Sequence, residues 1–388
     1  MTLLLQIWSA VLFKATPVIA PALPPEMGID KAFLGIFGSV IFLGAMFGSP
    51  MAALFVTSRG GVRMIQLGLL TSSIALLTIL TGVGPVLLCA AIFIGFGYSP
   101  NAPGGSYVLS RHTPVSQRGL IFSIKQAGVP LGGALVGLVV PVIERQAGWQ
   151  AAMLTVIISS LIIVGFAGIF RRNLDDEEDR APDPNPRQVL RQLMPLHGLR
   201  HHPLLPRIST MAAVYGGGQM VLFTYLVFYL TERVELSLIS AGAAYAALQI
   251  SSFVMRIASG WLNDRLRKPR AMLALFGLVT AATIYLLTTL NAQSAYQTVV
   301  VLSAIAGAGA AGWNGVFLSE VARVTPPEHV AEATGAAVFC IYFGLVLGPL
   351  FFGFTAEILG YDFAFTCMAV ITAIGSICVF WPMKRKAD

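Results

Sequence analysis

An α-helix needs about 20 consecutive apolar residues to cross the hydrocarbon core of a bilayer, and this chain supplies such stretches twelve times. Their limits fall near 2–23, 32–56, 62–82, 85–109, 119–142, 149–170, 208–231, 237–260, 270–290, 296–319, 330–355 and 361–383. Hydrophobic side chains make up 56% of the 388 residues and charged ones only 11%, where soluble proteins carry about 25%. Apolar surface on that scale has only lipid to face. The chain therefore reads as an all-α membrane protein with twelve transmembrane helices, and its net charge of +7 is no sign of a nucleic-acid partner.

The placement of that charge matters more than its size. One side of the membrane collects Arg59, Arg63, Arg111 and Arg118, and seven arginines between 171 and 207. It also holds Arg265, Arg267, Lys268, Arg270, Arg323, Lys384, Arg385 and Lys386. The other side has Lys31, Arg145 and Arg233. The positive-inside rule then puts both termini in the cytoplasm, as expected of a multi-pass protein of the cell (inner or plasma) membrane. The first stretch lacks a basic leader and carries a lysine at its centre, which argues against a cleaved signal peptide. Cys89, Cys340, Cys367 and Cys378 lie singly in apolar stretches and predict neither a disulfide nor a metal site.

Most connections are short. Residues 171–207 are the exception, with the run Asp175-Asp176-Glu177-Glu178-Asp179-Arg180 and prolines from Pro182 to Pro186. They read as a cytoplasmic linker between an N-terminal six-helix bundle, 1–170, and a C-terminal one, 208–388. The halves repeat. A shift of 212 residues lays Arg111-His112-Thr113-Pro114 on Arg323-Val324-Thr325-Pro326, Gly132 on Gly344, and Gly148-Trp149 on Gly360-Tyr361. Parallel repeats imply a pseudo-two-fold axis along the membrane normal and a ligand site between the halves at mid-depth.

After the eighth stretch comes Gly260-Trp261-Leu262-Asn263-Asp264-Arg265-Leu266-Arg267-Lys268-Pro269-Arg270. This resembles the loop signature of the major facilitator superfamily. Its first-half counterpart, Thr57-Ser58-Arg59-Gly60-Gly61-Val62-Arg63, has Ser58 where that family usually has an acid. The resemblance implies a transporter that rocks two bundles around a central site by alternating access. In such a machine Asp264, Arg265, Glu320 and Arg323 would form a gating network that breaks and re-forms. The plainer alternative is a static surface ion pair of little worth.

Lys14, Lys125 and Arg256 lie inside apolar stretches, and no Asp or Glu lies deep in any of them. A cation at bilayer depth costs at least about 3 kcal/mol, so each must face water, backbone carbonyls or an anionic guest. Arg256 closes a stripe of Tyr245, Gln249, Ser252, Arg256 and Asn263 at helical spacing, and its planar fork suits a carboxylate. The alternatives are pairing with Asp264 or snorkelling to the cytoplasm. Lys14 is too deep to snorkel easily. Lys125 shares a face with Gly128 and Gly132, where helix packing explains it as well as substrate contact does. Asn101, Tyr215, Gln219, Trp313, Asn314 and Tyr342 are further substrate-binding candidates, each of a type found as often in core or interface belts.

Gly307-Ala-Gly-Ala-Ala-Gly312 copies a dinucleotide fingerprint, but inside an apolar span it reads as helix packing. His197, His201 and His202 have no cysteine partners and predict no metal site. There is no P-loop and no catalytic cluster at membrane depth, so neither an enzyme nor a cofactor is expected. The lysine of the first span and Arg256-Ile-Ala-Ser-Gly260 are similar to the cationic pair of the monocarboxylate and organic-anion branch. Ser252 stands where monocarboxylate transporters carry an aspartate. The reading is a secondary active transporter of a small organic anion, a carboxylate, by proton symport or exchange, with Lys14 or the substrate itself carrying the proton. Proton-driven multidrug efflux is the alternative, and a receptor-like scaffold a more distant one.

Overall fold

The computed structural model describes residues 1–114, 121, 124–175, 195–326 and 329–379. Among these the regular elements are helical: α1 (Thr2–Ile19), α2 (Lys31–Arg59), α3 (Gly61–Leu77), α4 (Gly84–Tyr98), α5 (Asn101–His112) and α6 (Gly128–Leu174), then α7 (Leu205–Glu232), α8 (Leu238–Leu266), α9 (Pro269–Leu287), α10 (Tyr296–Val324), α11 (Val330–Leu359) and α12 (Tyr361–Cys378). α4 and α5 make one apolar span, Gly84–His112, stepped at Ser99–Pro100. α6 holds two spans. Its helical stretch of 51 residues, Ile124–Leu174, would be roughly 75 Å long if straight, more than twice the hydrocarbon thickness. It turns at Gly148, whose φ of 84° and ψ of 167° are open to glycine and strained for other residues. Twelve crossings result. The central part of the expected linker, 176–194, lies outside the described residues, as do the basic residues from 384 to 386.

The repeat is visible in the backbone. Gly360, between α11 and α12, has the same φ and ψ as Gly148, at the 212-residue shift read from the sequence. Earlier in the halves the shift is 207, which carries Lys31–Arg59 onto Leu238–Leu266. Asp30 caps α2 by accepting from Phe33 N at 2.7 Å, and Ser237 caps α8 by accepting from Ser240 N at 3.2 Å. The left-handed residues follow suit: Gly28 (φ 63°) answers Glu235 (φ 59°), and Gly60 (φ 92°) answers Arg267 (φ 52°).

Two helix pairs make the seam between the bundles, α2 against α11 and α6 against α8. Glycines let them approach: a Cβ on Gly35 would press on the Pro349 carbonyl, and one on Gly137 on the carbonyl of Gly242. At the membrane side opposite the arginine-rich loops, here called the far end, polar contacts cross the seam. Lys31 Nζ lies 2.9 Å from Glu232 Oε1. Tyr225 Oη donates to Lys31 O at 2.8 Å and sits 3.0 Å from Pro349 O. Ser39 Oγ donates to Val346 O.

Candidate functional site

α1 and α8 bring Lys14 and Arg256 to the seam at mid-depth, where α7 touches both. Lys14 is 1% exposed, and its ammonium donates to Val129 O of α6 at 3.2 Å and lies 4.3 Å from the centre of the Phe223 ring. One turn earlier on α7, Gln219 faces Arg256. Turned with its oxygen toward the guanidinium, it accepts from Arg256 Nη2 at 3.2 Å and donates to Ala310 O at 3.3 Å. Asn314 Nδ2 of α10 is 3.5 Å from the same side chain. The two cations are close enough to repel one another, with contacts on α7 separated by about 6 Å of helix rise. Among the described residues no carboxylate pairs with either. Arg256 is partly exposed, yet its Nε is enclosed and has no partner among the described residues.

An aromatic wall stands beside the pair. Phe13, Phe42 and Tyr98 meet edge to face with ring centres 5.1 to 6.3 Å apart, and Tyr342 of α11 joins Phe42 at 6.4 Å. Tyr98 interacts with both Arg256 and Gln6. On the other flank, fully buried Gln249 reaches Lys14 across Gly133. The arrangement offers two like charges, flat apolar surface and amides between them, which suits a small anion with an apolar body.

Lys14, Arg256, Gln219, Gln249, Asn314 and Tyr342 thus gather around one place. The other sequence candidates sit elsewhere. Lys125, 3% exposed, donates to Asn101 O at 2.7 Å and packs against Gly105 inside the first bundle. Asn101 is held by Ser9 Oγ at 2.8 Å. Tyr215 spends its hydroxyl on Leu273 O and Ser376 Oγ, both 2.9 Å away, and Trp313 its indole N–H on Ala310 O. These two rings meet edge to face within the second bundle. Phe13, Phe42, Phe223, Tyr98 and Gln6 were not singled out from sequence. Phe223 had a signal, one turn beyond Gln219; the others look like ordinary span residues.

At the arginine-rich end, Glu320 is fully buried and chelated by Arg323 through Nε at 2.6 Å and Nη2 at 2.7 Å, while Arg270 Nε adds 3.2 Å. Arg270 was not among the expected members. Arg265 instead lies 5.5 Å from the Trp261 ring, and the Asp264 side chain is outside the described residues. In the first bundle the loop acid missing at Ser58 has a substitute. Asp175, 2% exposed, accepts from Val62 N and Arg63 N, each at 2.9 Å, at the N-terminus of α3.

The sequence profile of the Major Facilitator Superfamily matches residues 2–295 and 268–388. The 4-hydroxybenzoate transporter PcaK of Pseudomonas putida is 24% identical over 394 residues, covering 93% of this chain and 86% of that one. The probable sulfoacetate transporter SauU of Cupriavidus necator is 24% identical, covering 93% and 87%. Among solved structures, a point mutant of the nucleoside transporter NupG superposes with a TM-score of 0.79 at 14% identity, covering 97% and 98%, a likeness of fold.

Proposed function

The chain belongs to the Major Facilitator Superfamily, and we propose that it is a secondary transporter of a small organic anion, a carboxylate, gripped between Lys14 and Arg256. The observation that carries this is the pair of seam cations with no described carboxylate beside them. Two positive groups held together in a low-dielectric passage repel each other and any cationic guest, and a negative guest relieves both. Relatives named for hydroxybenzoate and sulfoacetate transport support an anionic cargo. The aromatic wall of Phe13, Phe42, Tyr98 and Tyr342 would cover the apolar body of the guest.

With the arginine-rich end in the cytoplasm, the conformation described is the one closed toward the outside. Import of a monoanion into a negative-inside cell costs about 2.3 kcal/mol per 100 mV. A co-transported proton removes that cost, and exchange for a second anion does the same. The test is uptake of labelled carboxylates into proteoliposomes by wild type, Lys14→Ala and Arg256→Ala. Each substitution is expected to lower uptake at least about tenfold, the effect of losing a charge-assisted bond. Undiminished uptake by both variants refutes the proposal.

A further inference from the structure

The next step rests on the carboxylate reading above and concerns what else the anion carries. Gln249 lies two turns before Arg256 on the same face of α8 and is fully buried. Among the described residues neither its Oε1 nor its Nε2 has a hydrogen-bonding partner, and one turn earlier the Oη of fully buried Tyr245 is equally unpaired. The Tyr245 hydroxyl and the Gln249 side chain lie near enough to interact, but outside the geometry of a formed hydrogen bond. The Gln249 amide also adjoins the Lys14 ammonium: a Cβ on Gly133 would come within 2.6 Å of Gln249 Cδ and 2.7 Å of Lys14 Nζ. Glycine at 133 is what lets the amide and the ammonium come this close to α6 side by side.

Buried amides that serve only packing are almost always paired, because an unpaired one gives up its hydration for nothing. A leucine would fill the same volume without that loss. On the same stripe Ser252 Oγ is satisfied, reaching Leu248 O at 2.8 Å and Gly307 O at 2.9 Å. Arg256 Nε and Asn263 Oδ1 each lack a partner too, but among the described residues Gln249 is the one buried side chain with both of its polar atoms unpaired.

We infer that Gln249 and Tyr245 form a second subsite beside Lys14 that binds a hydroxyl group on the transported carboxylate. The chemistry selects the group by elimination. Gln249 Oε1 needs a donor, so a keto or ether oxygen leaves it unpaired. An ammonium could donate, but it would sit against Lys14 and within the field of Arg256. A hydroxyl donates to Oε1 while accepting from Nε2 or from Tyr245 Oη. The substrate class is then a hydroxy acid, with the carboxylate on the cations and the hydroxyl on the amide. In the conformation described, the tight crossing at Gly137 and Gly242 closes this subsite on the far side, so it is bared as α6 and α8 part there.

The experiment is titration calorimetry on purified full-length protein with pairs of acids differing by one hydroxyl: glycolate and acetate, lactate and propionate, mandelate and phenylacetate. On wild type, the hydroxylated member of at least one pair is expected to bind about tenfold to a hundredfold more tightly, the range for pairing a buried polar group. Gln249→Leu is expected to bring that ratio within about threefold, and Tyr245→Phe to lower it in part. Arg256→Ala is expected to weaken both members together. Equal binding within every pair on wild type overturns the inference, as does a ratio that survives both substitutions. If Gln249→Leu does not fold, Tyr245→Phe decides, and a ratio retained in full there counts as refutation. A loss of preference with Arg256 still required supports it. Binding that ignores Arg256→Ala, or no binding by any pair, instead brings down the carboxylate reading on which it stands.

Discussion

Glu232→Gln should shift the conformational balance of the transporter without touching the cation pair. Lys31 belongs to the first bundle and Glu232 to the second, so their contact at 2.9 Å exists only while the far end is closed. Lys31 is 21% exposed at the side chain and Glu232 45%, which makes this a solvent-screened pair worth about 0.5–1 kcal/mol. Tyr361 Oη also donates to Glu232 Oε2 at 2.8 Å, and glutamine keeps an oxygen for it, so the substitution isolates the ionic part. Loss of that free energy falls wholly on the closed state and lowers the closed-to-open ratio roughly two- to fivefold. Electron-paramagnetic distance measurements between spin labels at the far ends of α2 and α7 would report the populations. The control is Asp362→Asn. Its partner Arg233, at 3.9 Å, lies in the same bundle, so that pair is equally present in both states and its loss should leave the distances unchanged. High salt should erase the difference between wild type and Glu232→Gln. An unchanged distance distribution in Glu232→Gln, or an equal change in Asp362→Asn, would refute the assignment of this pair as a gate.

Three other substitutions probe the frame. Gly35→Val presses a side chain onto the Pro349 carbonyl and the Tyr225 hydroxyl; overpacking of about 1–3 kcal/mol borne by the closed state should raise cysteine alkylation at the far end about fivefold or more. Asp175→Ala uncaps α3 and should cost about 1–2 kcal/mol in reversible unfolding, while Asp175→Asn should recover part of that by keeping one acceptor. Glu320→Ala removes the acceptor shared by Arg323 and Arg270, whose side chains are 59% and 39% exposed and can return to water. The expected loss is about 1–3 kcal/mol, read as a lower melting temperature with substrate binding retained.

The fold was open to inspection in the sequence because lipid imposes a length and a composition on every crossing, and twelve crossings repeat the message. Lys14 and Arg256 were legible for the same reason, since a charge in an apolar run has few explanations. Their surroundings were not. Tyr98, Phe13 and Phe42 are apolar or aromatic residues among many, and only the crossing of α1, α2 and α4 distinguishes them from belt or core. Tyr215 and Trp313 went the other way. They look like ligand contacts on a helical wheel, but their polar atoms are satisfied by Leu273, Ser376 and Ala310 inside one bundle. In the sequence Asp175 heads an acidic run and looks like part of the linker. Only the return of α6 beside the start of α3 reveals it as the stand-in for the acid missing at Ser58.

The repeat also bears on the asymmetry of the proposed site. The shift of 207 residues that carries α2 onto α8 places Arg256 opposite Ser49 and Lys14 opposite Val221. Each half therefore contributes one cation, from positions that are not equivalent: α1 on one side and α8 on the other. Had the charges followed the symmetry, each bundle would hold two cations and four would meet at the seam. Their mutual repulsion would exceed what a monoanion can offset. On the proposed function, with one cation per bundle, a single carboxylate would bridge the halves and lose a partner whenever they separate at its depth. Such a guest would favour the states in which both halves stay close around it, so that binding energy would bias the rocking motion itself. Moving Lys14 to its pseudo-symmetric position, Lys14→Val with Val221→Lys, tests this directly. Both cations would then sit in the second bundle, and carboxylate binding is expected to persist while counterflow transport falls at least about tenfold. Transport at wild-type rate in that double variant would show that bridging the halves is not what couples the guest to the motion.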